Sequence, residues 1–123
     1  MNRCLVIDDS SVIRKVARHI LEGVHFNVSE AENGEEALLQ CSKLPTPDVI
    51  LLDWHLPVLG AIEFLNRLRS TAAGRRPYVI YCTTENDPDD IARAHAAGAN
   101  DYLLKPFSRD DVLTKLTEIK SAA

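Results

Sequence analysis

The chain has 123 residues, 46% apolar and 26% charged, which suits one globular domain with a real core and leaves no room for a second. Its formal charge of -4, with acidic and basic side chains interspersed, gives no bulk attraction for nucleic acid, so direct DNA binding is not expected. No apolar run approaches the roughly 20 residues of a membrane helix and no signal-like segment opens the chain, so a cytoplasmic location without membrane attachment is expected.

In chain order, residues 4–7 form a short apolar run that reads as a first strand and is followed at once by Asp8 and Asp9. Val12, Val16 and Ile20 then recur at helical spacing and predict a helix packed on the sheet, with Gly23 as its stop. Residues 27–31 read as the second strand, and Asn33 with Glu36 supplies a capping signature for the next helix. The third strand, residues 49–52, is continuously apolar and ends on Asp53. Ala61, Phe64, Leu65 and Leu68 mark the third helix. Residues 79–82 form the fourth strand, ending on Thr83, and Asp87 with Pro88 opens a helix that Gly98 closes. After a fifth strand at residues 102–104 comes Lys105, and Ser108 with Asp111 caps a last helix whose stripe is Val112, Leu116 and Ile119.

Strands and helices alternating five times predict a doubly wound α/β sheet with right-handed crossovers, and such sheets bind ligands beyond the carboxyl ends of their strands. The residues that follow the strands are Asp8, Asp9, Asp53, Thr83 and Lys105, so the chemistry collects on that edge. Carboxylates brought together repel unless a cation or an ammonium group neutralises them. Oxygen ligands without partnered His or Cys favour a hard cation such as Mg²⁺ over zinc. Lysine and a hydroxyl add donors for a transferring phosphoryl group, and Asp53 is the natural nucleophile. Cys4, Cys41 and Cys82 are odd in number and lie in apolar segments, so they read as small buried thiols.

The segments LVIDDSSVIRK, PDVILLDWHLP and AGANDYLLKPF occur in the order of the three main motifs of the response-regulator receiver family, and the chain resembles that family over essentially its whole length. The resemblance implies a CheY-like, flavodoxin-like fold: a five-stranded parallel sheet of order 2-1-3-4-5 with five helices, as a single receiver domain over residues 1–123 without an output domain. It implies a phosphoacceptor switch of a two-component system, resembling chemotaxis regulators, that catalyses only its own phosphorylation and dephosphorylation. Asp53 would take the phosphoryl group. Asp9 and Asp53 would bind Mg²⁺ directly, Asp8 would hold a metal-bound water, and the His55 carbonyl would be a further ligand. Lys105, Thr83 and Thr84 would contact the phosphoryl group, with Thr83 and Tyr102 as the switch pair. The Lys105–Pro106 peptide is expected to be cis. The implied partners are a sensor histidine kinase or histidine phosphotransfer protein and a downstream target, read by residues 87–97 and 102–120 of a monomer or weak dimer.

Periodicity alone also fits Tyr102 as a core aromatic, and only its spacing before Lys105 favours the switch. Side chains of His55 and Glu85 sit where the family tunes phosphoryl lifetime; each also fits an ordinary exposed loop residue. Gly60 and Ala61 depart from the family, which favours an acidic or amide residue and then Gly, and Thr84 is bulkier than usual there. A phosphatase or mutase would want a second Asp where His55 stands, and a flavodoxin-type carrier would want no carboxylates after the first strand. A relay or phosphate-sink role and a phosphorylation-independent adaptor remain alternatives.

Overall fold

The computed structural model describes residues 2–43, 45–56 and 59–122, with side chains through Ile119; Leu44, Pro57 and Val58 lie outside the described residues. Five strands, β1 (Arg3–Ile7), β2 (Asn27–Ala31), β3 (Val49–Asp53), β4 (Tyr78–Thr83) and β5 (Asp101–Leu104), form one sheet in the order β2-β1-β3-β4-β5. All four pairings are parallel, as expected for strands joined by helical crossovers. The central β3 is buried at every residue, which is why it reads as an unbroken apolar run; edge strand β2 alternates exposed and partly buried positions.

Five helices cover the sheet: α1 (Ser11–Glu22), α2 (Gly34–Cys41), α3 (Ala61–Arg69), α4 (Pro88–Ala97) and α5 (Arg109–Ala122). Side chains alternate along a strand, so each sheet face has its own core. Leu5, Ile7, Ile50, Leu52, Val79 and Tyr81 pack with α2, α3 and α4 on one face. On the other, Cys4, Val6, Val49, Leu51, Ile80 and Cys82 pack with α1 and α5. All three cysteines are buried free thiols, as read from the sequence. Among the described residues no helix is long and apolar enough to cross a membrane.

The expected caps are present. Asn33 accepts from the Glu36 amide at 2.8 Å and Asp87 from the Asp89 amide at 2.9 Å. Ser108 and Asp111 bond reciprocally, each side chain accepting from the other's amide, at 3.1 and 2.9 Å. Gly98 ends α4 in the left-handed region at φ 119, where a Cβ would meet Arg69 Cγ at 2.7 Å.

One expectation is corrected. Val12 and Val16 do not pack on the sheet; they are 67% and 45% exposed, and α1 buries Ala17, Ile20 and Leu21 instead. A stripe of residues four apart drifts about 40° per step on a helix, so a line through 12, 16 and 20 crosses the packed face only at its end.

The Gly60 departure has a visible cost, because α3 begins there without a side-chain cap bond. Its backbone is ordinary extended, φ -66 and ψ 162, and a Cβ would meet nothing within 4 Å among the described residues. Gly60→Ser is therefore expected to stabilise the protein by about 0.5–1 kcal/mol, by restricting the unfolded chain and capping α3. The urea midpoint measures this, and a lower midpoint would contradict it.

Candidate functional site

In the sheet order, β1, β3, β4 and β5 are neighbours, and their carboxyl ends bring Asp8, Asp53, Thr83 and Lys105 to one rim. Strand alternation then sorts the side chains. Asp8 follows Val6, Asp53 follows Leu51 and Lys105 follows Leu103 in the two-residue repeat, so all three fall on the α1/α5 side. Asp8, Asp53 and Thr83 are 3%, 5% and 2% exposed.

Lys105 crosses from the end of β5 to bridge both buried carboxylates, with Nζ 2.6 Å from Asp8 Oδ2 and 3.1 Å from Asp53 Oδ1. Its peptide bond to Pro106 is cis, as expected. Burial works against the ammonium, but hydrogen bonds to Asp8 and Asp53 and their charges outweigh it, so the Lys105 pKa is raised. The remaining contacts are local: Asp8 Oδ1 accepts from the Ser10 amide at 2.9 Å, and Asp53 Oδ1 from the His55 amide at 3.2 Å. No described residue donates to Asp53 Oδ2. Oxygens of Asp8, Asp9 and Asp53 lie within 4.8 Å of one another, with Asp9 exposed. This all-carboxylate donor set fits a hard cation, and Mg²⁺ in particular.

Thr83 Oγ1 accepts from the Glu85 amide at 3.1 Å, and the Thr83 carbonyl accepts from the Lys105 amide at 2.8 Å, so the ends of β4 and β5 are joined. Thr84, Glu85 and His55 are exposed loop residues around this rim. Trp54, half-buried, points to the opposite face and packs on Tyr81 with ring centroids 5.1 Å apart and planes tilted by 52°; the Tyr81 ring lies 6.0 Å from Tyr102. Tyr102 is thus packed against the core while still partly exposed.

Two features escaped the sequence. Arg14 donates to the Asp8 carbonyl, and the Tyr81 hydroxyl is buried with no hydrogen-bond partner among the described residues. Burial, then the charges of Asp90 and other neighbours, push the Tyr81 pKa up to about 12, so the hydroxyl stays neutral. An orphaned hydroxyl costs about 1–3 kcal/mol. Tyr81→Phe is accordingly expected to raise stability by about 1 kcal/mol in thermal or urea unfolding. A clear loss would mean that the hydroxyl finds a partner in solution.

A doubly wound parallel sheet with a lysine-bridged carboxylate pocket at its carboxyl rim is an arrangement suited to accepting a phosphoryl group. The response regulator receiver domain matches residues 4–117, and the chain belongs to that family. Among curated relatives, the phosphate regulon transcriptional regulatory protein PhoB of Escherichia coli is 34% identical over 117 residues, covering 95% of this chain but 51% of that protein. The chain thus spans about half the length of PhoB. A chemotaxis protein CheY homologue of Campylobacter jejuni is 31% identical, with 95% and 91% of the two chains covered. Among solved structures, the chemotaxis response regulator CheY4 of Vibrio cholerae is 32% identical with a TM-score of 0.90, covering 97% of this chain and 98% of that one. The receiver domain of sensor histidine kinase PA1611 from Pseudomonas aeruginosa is 29% identical with a TM-score of 0.86 over 95% of each chain, and holds a magnesium ion in its active-site cleft.

Proposed function

We propose that residues 1–123 act as one receiver domain that takes a phosphoryl group from a histidine kinase or histidine phosphotransfer protein onto Asp53 and thereby changes its α4/β5/α5 surface for a partner protein. The observation that carries this reading is the Lys105 ammonium joining two buried carboxylates at the mouth of an oxygen-only cluster. Asp8, Asp9 and Asp53 would hold Mg²⁺, with the His55 carbonyl as a further donor. Bound there, the cation neutralises negative charge on the incoming phosphoryl oxygens.

Asp53 Oδ2, which no described residue holds, attacks phosphorus. The new O–P bond forms as the bond to the donor breaks, and the donor nitrogen or oxygen leaves with the electron pair. Lys105 is already within reach and transfers its ion pair to a phosphoryl oxygen. The Thr83 hydroxyl keeps its proton free to donate while accepting from Glu85, so turning it toward the phosphoryl group draws on the β4–α4 loop. Thr84, also on this loop, would contact the same group. Hydrolysis returns Asp53 to the free carboxylate, with Glu85 orienting the attacking water and His55 hindering it. The domain therefore catalyses reactions of its own side chain and turns over no separate substrate.

Inverting a 1:99 population requires roughly 5.5 kcal/mol, which two or three charge-assisted bonds reach only toward the upper end of about 1.5–3 kcal/mol each. Tyr102, half-buried beside Tyr81, is the ring that would follow Thr83. The test is intact-mass analysis after incubation with acetyl phosphate and Mg²⁺. One added phosphoryl group on the parent, mapped to Asp53 and lost in Asp53→Asn or in EDTA, is the expected result; no addition, or addition elsewhere, overturns the reading.

A further inference from the structure

We infer that Arg14 is a positioning residue for the cation pocket, holding the peptide between Asp8 and Asp9 so that Asp9 is kept in place without being touched. This rests on the reading that the pocket binds Mg²⁺. Arg14 projects from the first turn of α1, with its side chain 16% exposed. Its Nη1 donates to the Asp8 carbonyl at 2.6 Å, and its Nε donates to Glu30 Oε1 on β2 at 2.9 Å. The Asp8 amide donates in turn to the Ala31 carbonyl at 3.1 Å, so the turn is tied to edge strand β2 both directly and through Arg14.

The consequence falls on Asp9. Asp8 is held by Ser10 and Lys105, and Asp53 by His55 and Lys105, whereas no described residue donates to the Asp9 carboxylate. Asp9 is exposed, yet it lies within the 4.8 Å cluster. Its direction is set by the peptide plane that precedes it, and the Asp8 carbonyl is half of that plane. A carbonyl fixed by a two-pronged guanidinium cannot swing without breaking the bond to Arg14 or the pair with Glu30.

A positive charge near a cation site ordinarily weakens it, and the network removes that penalty. Glu30 also accepts from Arg18 Nε at 2.7 Å, and Arg18 Nη1 reaches Glu22 at 3.2 Å. The hydrogen bond from Arg18 outweighs burial and, with help from Arg14, holds the Glu30 pKa below the ordinary carboxylate value. Two arginines thus face two carboxylates, leaving Arg14 a donor whose charge is compensated.

This gives the test a diagnostic sign. If Arg14 acted only as a charge, Arg14→Met would leave Mg²⁺ binding unchanged or tighten it; as a positioning residue its loss weakens binding, by about tenfold, the low end for partners behind the metal ligands. Calorimetric titration of Mg²⁺ into the purified protein reads the dissociation constant without any phosphoryl chemistry. The expected pattern is weakening in Arg14→Met, a smaller weakening in Arg14→Lys, and none in Lys15→Met, which removes an exposed charge from the same helix. Should Arg14→Met not fold, Arg14→Lys decides, and affinity equal to the parent's overturns the inference. Parent binding with unchanged or tighter binding in Arg14→Met refutes the role of Arg14 alone, while a parent that binds no Mg²⁺ refutes both that role and the metal reading.

Discussion

Lys105→Met is expected to lower stability by about 3–5 kcal/mol in EDTA, with most of the loss returning when Mg²⁺ is added. The side chains of Asp8 and Asp53 are 5% and 6% exposed and share one ammonium, itself 13% exposed. Removing the ammonium leaves two desolvated carboxylates facing each other, a far larger penalty than the loss of a surface pair. A divalent cation on the same oxygens can replace the missing charge, and binding only the folded state at 100 times its dissociation constant contributes about 2.7 kcal/mol. Urea unfolding of the parent and variant, each with and without Mg²⁺, measures the exchange. An equal loss under both conditions would mean that the cation does not replace the charge that Lys105 supplies. The pH dependence has a definite sign. Because the Lys105 pKa is raised in the folded state, its contribution is intact below the unfolded lysine value and disappears as pH rises through the folded value, so the variant should differ least from the parent in strong alkali.

Much of this site was legible because it depends on strand ends. Asp8, Asp53, Thr83 and Lys105 each follow a short apolar run, and a parallel sheet must gather such positions on one rim whatever the loops do. The cap residues Asn33, Asp87 and Ser108 were equally readable, since a cap bonds only to amides two or three residues away. The inward face of α1 was not. Val12 and Ile13 are adjacent and both apolar, and the rotation of the helix against the sheet, which no local pattern states, makes Val12 exposed and leaves Ile13 partly buried. The same limit applies to Arg14 and Tyr81. An arginine on an amphipathic helix reads as a solvated cation until the fold delivers a carbonyl from the preceding turn and a carboxylate 16 residues away. Tyr81 reads as one more apolar position in β4, and the lack of a partner for its hydroxyl belongs to the packing of Trp54 and Tyr102 around it.

Arg69 is the strongest case of structure hidden from sequence, and its replacement by Met is expected to cost about 3 kcal/mol. At the end of α3 a basic residue looks like ordinary complementation of the helix dipole. Instead its guanidinium turns into the protein at the end of the sheet opposite the acidic pocket. Nη1 donates to the carbonyls of Gly74 and Pro77 at 2.8 and 2.9 Å, Nη2 to Gly98 O and Asn100 Oδ1 at 2.8 and 3.0 Å, and Nε to Gly98 O at 3.1 Å. One side chain thus ties α3 to the turn before β4, to the left-handed end of α4 and to the start of β5. Burial disfavours its charge and lowers its pKa, yet arginine remains cationic at any ordinary pH. Met keeps much of the apolar stem but orphans carbonyls at the buried residues Gly74 and Pro77, and each orphan costs about 1–3 kcal/mol before solvent relieves part of it. Lys is expected to recover less than half of the loss, because a single ammonium cannot reach four acceptors spread around a planar fork. Urea midpoints of Arg69→Met and Arg69→Lys test both statements, and full recovery by Lys would show that the charge matters and the fork does not. Since Asn100 Oδ1 also accepts from the Val79 amide at 2.8 Å, loosening here should speed hydrogen exchange at Val79 while leaving Mg²⁺ binding at the far rim unchanged. That separation is expected because the central strands between the two ends are packed on both faces and anchor each independently.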